Sequence, residues 1–164
     1  MFLRSGLIRS LLVGIPIGVT FFDSIGYVAR VEGVSMQPTL NPADSEGSSD
    51  FVYLDRLPLR NFCIDRGDVV SLISPKNPSE VLIKRVVGLE GDLVVTKRYK
   101  KPLVRVPKGH CWVEGDNAGR SLDSNEFGPV SLGLLTAKAT FILWPLSRFQ
   151  NLSSADVPAA IYSY

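Results

Sequence analysis

After a mostly apolar start, the chain settles into runs in which apolar and polar residues tend to alternate. Phe51–Leu54, Asp68–Ser74, Val81–Leu89, Leu93–Thr96, Leu103–Val106 and His110–Glu114 are short and rich in branched residues. Each is bounded by Gly, Pro, Asn or Asp, the mark of strands separated by tight turns. Ala137–Leu143 adds another before Trp144-Pro145. No long helical periodicity follows the N-terminal segment, so the pattern predicts a mainly β domain of antiparallel sheets joined by hairpins. Gly67-Asp68, Gly91-Asp92 and Gly115-Asp116 recur, but their flanks do not match; they read as hairpin punctuation rather than a repeat. Asn41–Asp50 is predicted to be a surface loop. The tail after Pro145 is expected to be peripheral, with Asn151–Pro158 loose.

The N-terminus differs in kind. Met1–Phe22 holds no acid and carries Arg4 and Arg9, and Leu11–Phe22 is uncharged. Extended to Val28, with Asp23 the only ionised residue, the stretch is long enough to span a bilayer. Gly14 and Pro16 are tolerated in such helices. A cleaved signal peptide ending near Ser24-Ile25-Gly26 and a buried helix are the competing readings. The preferred division is an anchor over 1–30 in contact with membrane lipid, a β-rich catalytic domain over 31–150 and a tail over 151–164. The arginines ahead of the apolar run orient it N-in, C-out.

A length of 164 residues fits one domain with a real core. A net charge of +2 without a basic stripe argues against a nucleic-acid partner. Lys97, Arg98, Lys100 and Lys101, next to Pro102, fit a solvated hairpin loop. Cys63 and Cys111 leave the redox compartment open. Phosphate loops, dinucleotide fingerprints, zinc helices and Cys-x-x-Cys are absent, so no cofactor or metal is expected. The single histidine, His110, sits where a turn enters a strand and reads as structural or solvated.

Candidate chemistry lies in two places. Along Val81–Val87, Lys84 shares a face with Leu82 and Val86, and Arg85 shares the other with Ile83 and Val87. Either one cation lies among apolar neighbours, or this is an edge strand from which both reach water. A buried lysine loses its proton more readily and can then take one from a hydroxyl, which a guanidinium cannot do. Ser35, in Val34-Ser35-Met36-Gln37-Pro38-Thr39-Leu40, offers such a hydroxyl. If the apolar segment ends near Val28, seven residues place Ser35 within about 25 Å of the membrane. The polar loop Glu114–Ser124 reads as a turn whose Asp and Asn bond their own backbone. It is a poor calcium loop, since Asp116, Asn117 and Asp123 miss the alternating ligand positions. A functional reading has Ser121 or Ser124 orienting the lysine amine.

Taken together, Ser35–Leu40, Gly67–Val70, Ile83–Asp92 and Gly115–Ser124 resemble, in order, the motifs of the type I signal peptidases. The resemblance covers about Val31–Pro145. It implies a Ser-Lys dyad with Ser35 as nucleophile, its backbone N–H as one oxyanion donor, and Lys84 as general base. Ser121 matches the serine that holds the lysine amine; Asp123 and Arg85 match residues that brace the site. Phe127-Gly128-Pro129-Val130 and Ile142-Leu143-Trp144-Pro145 resemble the mitochondrial branch of the family. That branch implies an inner-membrane anchor, a catalytic domain in the intermembrane space, a sister catalytic subunit in a hetero-oligomer, and precursor proteins with sorting presequences as substrates. Two positions depart from many bacterial members, which carry serine where Gly33 stands and arginine where Ala118 stands, so the second oxyanion donor is unassigned. A bacterial or plastid signal peptidase, or a non-catalytic membrane-anchored β-domain, are the alternatives.

Overall fold

The structure, a computed structural model, describes residues 12–15, 18, 24–43, 49–60, 63–152 and 161–162. The predicted strands are present with small shifts at their ends: β2 (Phe51–Asp55), β3 (Val69–Ile73), β4 (Val81–Gly88), β5 (Leu93–Val95), β6 (Leu103–Arg105), β7 (His110–Glu114) and β9 (Leu135–Trp144). Strands the pattern does not single out are β1 (Gly26–Arg30), β8 (Val130–Ser131), β10 (Gln150–Asn151) and β11 (Ile161–Tyr162). The large sheet runs β1-β2-β9-β3-β4-β7-β8, with β10 on β9, and a smaller one runs β11-β5-β6. The pairings are antiparallel.

Strand β3 reads Val-Val-Ser-Leu-Ile, without alternation, because the sheet is covered on both faces there. Val69 joins a core with Val52, Leu54, Ala137 and Ile142, whereas Val70 and Leu72 join another with Val86, Val113 and Val130. Strand β2 alternates instead, burying Val52 and Leu54 and turning Phe51 outward. Trp112 ties the small sheet to the large one, packing with Val94 and Val106 and taking the Tyr99 ring edge-on at 5.5 Å.

Gly67 and Gly91 take φ of +89° and +87°, turn conformations suited to glycine. The aspartates that follow fasten those turns: Asp68 accepts from the Asp65 N–H and Asp92 from the Leu89 N–H. Asp92 also takes a bidentate pair from Arg66. Gly115-Asp116 does a different job, described below.

Some expectations change. Gly26–Arg30, assigned to the end of the anchor, form an edge strand on β2, because Tyr27 and Ala29 pack on the first core. The remainder of the proposed span falls largely outside the described residues. No helix among those described is long and apolar enough to cross a membrane. Asp50, placed in a surface loop, is fully buried against Arg148. The tail is not wholly peripheral: Leu152 is buried in the first core and Ile161–Tyr162 pair with β5. No disulfide joins buried Cys111 to exposed Cys63.

Candidate active site

The segment after β1 presents a half-exposed hydroxyl from a firmly held turn. Gly33 has φ +85°, and the turn that follows spans 35–39. Met36 and Leu40 are buried in the first core, so the apolar positions of Ser-Met-x-Pro-Thr-Leu anchor the turn while Ser35 stays half-buried. Asn41 Nδ2 donates to the carbonyls of Val31 and Gly33, at 2.9 and 3.1 Å. Arg148 reaches from the C-terminal side to bond the Thr39 carbonyl at 2.8 Å and to pair with Asp50.

Strand β4 supplies the amine. Being central, between β3 and β7, it buries both cations: Lys84 is 2% exposed and Arg85 9%. Lys84 Nζ lies 2.8 Å from Ser35 Oγ and 2.8 Å from the Ile83 carbonyl oxygen, to which it donates. Burial lowers the Lys84 pKa to about 8, against the opposing pull of the Asp123 and Asp116 carboxylates. Arg85 pairs with Asp116 through Nε and Nη2, at 2.8 and 2.6 Å. It also donates to the Gly67 carbonyl and to Thr39 Oγ1, tying the Ser35 turn to the loop Gly115–Ser121.

That loop also grips Ser35 directly. The Asn117 N–H donates to the Ser35 carbonyl at 3.0 Å and Asn117 Nδ2 to the Val34 carbonyl at 3.2 Å. Gly115 is required by close approach, since a Cβ there would run into the Ser35 carbonyl and Ser121 Oγ. Sequence reasoning weighed Asp116 and Asn117 only as turn or calcium residues. The available signal was that Gly115-Asp116, unlike the other two pairs, is not followed by an apolar strand.

The remaining expected residues are placed as follows. Asp123 is buried, caps the short helix Ser124–Phe127 by accepting from the Asn125 N–H, and accepts from the Gly115 N–H. It thus braces the loop as well as acting on Lys84 through charge. Ser124 Oγ accepts from the Val113 N–H at 3.0 Å, a structural bond at the end of β7 rather than a contact to the amine. Ser121 Oγ is buried but makes no hydrogen bond in this structure, so the expected link to Lys84 is not made. His110 takes the structural place expected of it, its Nδ1 against the Lys108 carbonyl. Lys97 is more than solvated: it pairs with Glu114 at 2.7 Å.

Ser35 and Lys84 stand at a cleft of about 390 Å³ lined by β1 (Tyr27, Ala29), the segment after it (Val31) and β4 (Leu82, Ile83). Both strands offer a backbone edge without a partner among the described residues. β1 pairs only with β2, and β7 takes up β4 only from Arg85 onward.

Comparison with known proteins places this geometry in context. Residues 4–104 and 95–144 match the family model described as signal peptidase, peptidase S26. Mitochondrial inner membrane protease subunit 2 of Mus musculus is 58% identical over 150 residues, covering 92% of this chain and 85% of that protein. The Saccharomyces cerevisiae protein of the same name is 44% identical over 150 residues, 90% of this chain and 84% of its own. Mitochondrial inner membrane protease subunit 1 of Homo sapiens is 40% identical over 137 residues, covering 82% and 79%.

Proposed function

The chain belongs to the signal peptidase family, peptidase S26, and from that membership we propose that it is a serine endopeptidase of the mitochondrial inner membrane that removes sorting peptides from proteins delivered to the intermembrane space. The subunit 2 relatives, at 44–58% identity, favour this over a bacterial or plastid enzyme. The observation that carries the chemistry is the 2.8 Å contact between Ser35 Oγ and the buried Lys84 amine, both lining the cleft.

In this reading, the neutral Lys84 amine takes the Ser35 proton as Oγ attacks the scissile carbonyl. The Ser35 N–H donates to the developing oxyanion; the Asn117 bond to the Ser35 carbonyl holds that residue's backbone in place. The ammonium so formed protonates the departing amine, leaving an ester on Ser35. Lys84, neutral again, then takes a proton from the water that hydrolyses this ester. The open edges of β1 and β4 suit a substrate in extended form, bound by backbone hydrogen bonds between them.

The N-terminal segment would anchor the enzyme with a single pass and the catalytic domain in the intermembrane space. The subunit 1 relatives support a sister catalytic subunit as partner. An acylating probe selective for activated serines tests the chemistry. It should label the wild type and not Ser35→Ala; equal labelling of both would make Ser35 a bystander, and a wild type that neither labels nor cleaves presequences would make the domain a non-catalytic partner.

A further inference from the structure

The cleft contains a polar feature that the proposed chemistry does not use. Ser71, at the middle of β3, lines the cleft and is 2% exposed. Its cross-strand neighbours are Ile83 and Ala137, and Val52 and Leu54 line the same cleft. The Ser71 and Thr136 hydroxyls lie 2.9 Å apart. One proton serves that bond whichever way it runs, so the pair keeps a second proton and spare lone pairs. In an apolar recess, an idle hydroxyl is costly once substrate excludes water.

We propose that Ser71, held by Thr136, determines specificity by favouring substrates with a small hydroxyl side chain, Ser or Thr, at the position pointing into this recess. The proposal rests on the peptidase reading and narrows its substrate class. An extended peptide along β4 turns alternate side chains toward the face that carries Ile83 and Ser71. A hydroxyl there completes the hydrogen bonding of the Ser71–Thr136 pair. An aliphatic side chain of the same size leaves the second proton of the pair without a partner in a dry site.

The test is a scan of presequence peptides carrying Thr or Val, near-isosteric, at each position flanking the scissile bond, with kcat/KM as readout. The wild type should prefer Thr at one position by about tenfold, the scale of one hydrogen bond. Ser71→Ala should bring that ratio close to one while still cleaving the Val peptide. Thr136→Val should weaken the preference, and Ser71→Thr should restore it. A flat scan in the wild type, or a preference that survives Ser71→Ala, overturns the assignment. Ser35→Ala separates the two levels: if it is inactive and the scan is flat, only the selectivity fails; if it still cleaves, the peptidase chemistry itself fails.

Discussion

Lys84 Nζ lies 2.8 Å from Ser35 Oγ, in a place where two carboxylates favour its charge and burial disfavours it. Burial wins, leaving the pKa at about 8 rather than 10.5. In the charged form the ammonium donates to the hydroxyl; in the neutral form the hydroxyl donates to the amine, which is the competent arrangement. Activity should therefore rise with pH through about 8, the rising limb of kcat/KM reporting the free enzyme. Lys84→Arg should lose about as much as Lys84→Ala, on the order of 10²–10⁴-fold, the usual weight of a general base. His110→Ala should keep most activity. An active Lys84→Arg enzyme, or a folded but inactive His110→Ala, would move the base elsewhere.

Gly33 stands where many bacterial relatives would place serine, and its φ of +85° settles what a serine would do here. A Cβ would meet no atom within 4 Å, so the obstacle is the backbone itself. Holding a non-glycine residue in this left-handed region costs about 1–2 kcal/mol, which the turn can relieve only by shifting Ser35. Gly33→Ser and Gly33→Ala should both lower kcat, by similar factors, in presequence cleavage assays. A gain in activity specific to Gly33→Ser would mean that the added hydroxyl serves as an oxyanion donor.

Gly115 should be as intolerant for the opposite reason. Its backbone conformation is ordinary, but the Ser35 carbonyl and Ser121 Oγ occupy the space of its missing side chain. Gly115→Ala should push the nucleophile turn away from Lys84. A drop in kcat of about tenfold or more is expected, since small misplacements of reacting groups are expensive. The melting curve should still show a cooperative fold. An unaffected kcat would mean that the turn is free to move without consequence.

The strands were legible because each is short, branched and closed by turn residues. Lys84 was singled out because only one side chain in an apolar strand could act as a base. Contact with Ser35 could not be derived from spacing, since 49 residues separate them. β1 was hidden because Gly26-Tyr-Val-Ala-Arg30 continues the apolar run before it, and no period distinguishes a buried strand from the end of a span. The clamps on the nucleophile turn were hidden for another reason. Asn117 acts partly through its backbone N–H, and Arg148 binds Asp50 and the Thr39 carbonyl across long sequence separations. The Ser124 bond to the Val113 N–H was hidden because a hydroxyl in a polar loop reads the same whether it serves an amine or a backbone N–H.

Arg85 and Asp116 form a bidentate pair that is nearly buried on both sides, with side-chain exposures of 10% and 15%. Arg85→Lys keeps the charge but cannot reach Asp116, Gly67 and Thr39 together. Activity should fall while the pH midpoint of the rising limb stays near that of the wild type, because Lys84 is unchanged. Asp116→Asn should do more. It removes one of the charges that raise the Lys84 pKa, moving the rising limb to lower pH, and it leaves Arg85 buried without a counter-charge, at a cost of about 3–5 kcal/mol. Limbs at the same pH in Asp116→Asn and wild type would show that Asp116 acts on Arg85 alone.

The lowered pKa of Lys84 also has a thermodynamic consequence. An unfolded lysine holds its proton up to about 10.5, whereas the folded one releases it near 8. Between those values the unfolded state binds more protons, so stability rises with pH across that window; below about 8 the penalty is present in full. A shift of this size corresponds to about 3 kcal/mol. The bonds from Nζ to Ser35 and to the Ile83 carbonyl are lost on mutation, at about 1 kcal/mol each. Lys84→Met fills a similar volume without charge, so near pH 7 it should be inactive yet more stable by about 1 kcal/mol, or ~2–4 °C in melting temperature. The advantage should shrink and reverse toward about pH 10, where the folded lysine is already neutral and most of the penalty has gone. Thermal melts of wild type and Lys84→Met at the two pH values measure this directly. A Lys84→Met protein that is less stable near pH 7 would show that the amine is solvated in the fold, and would remove the basis for treating it as a neutral base.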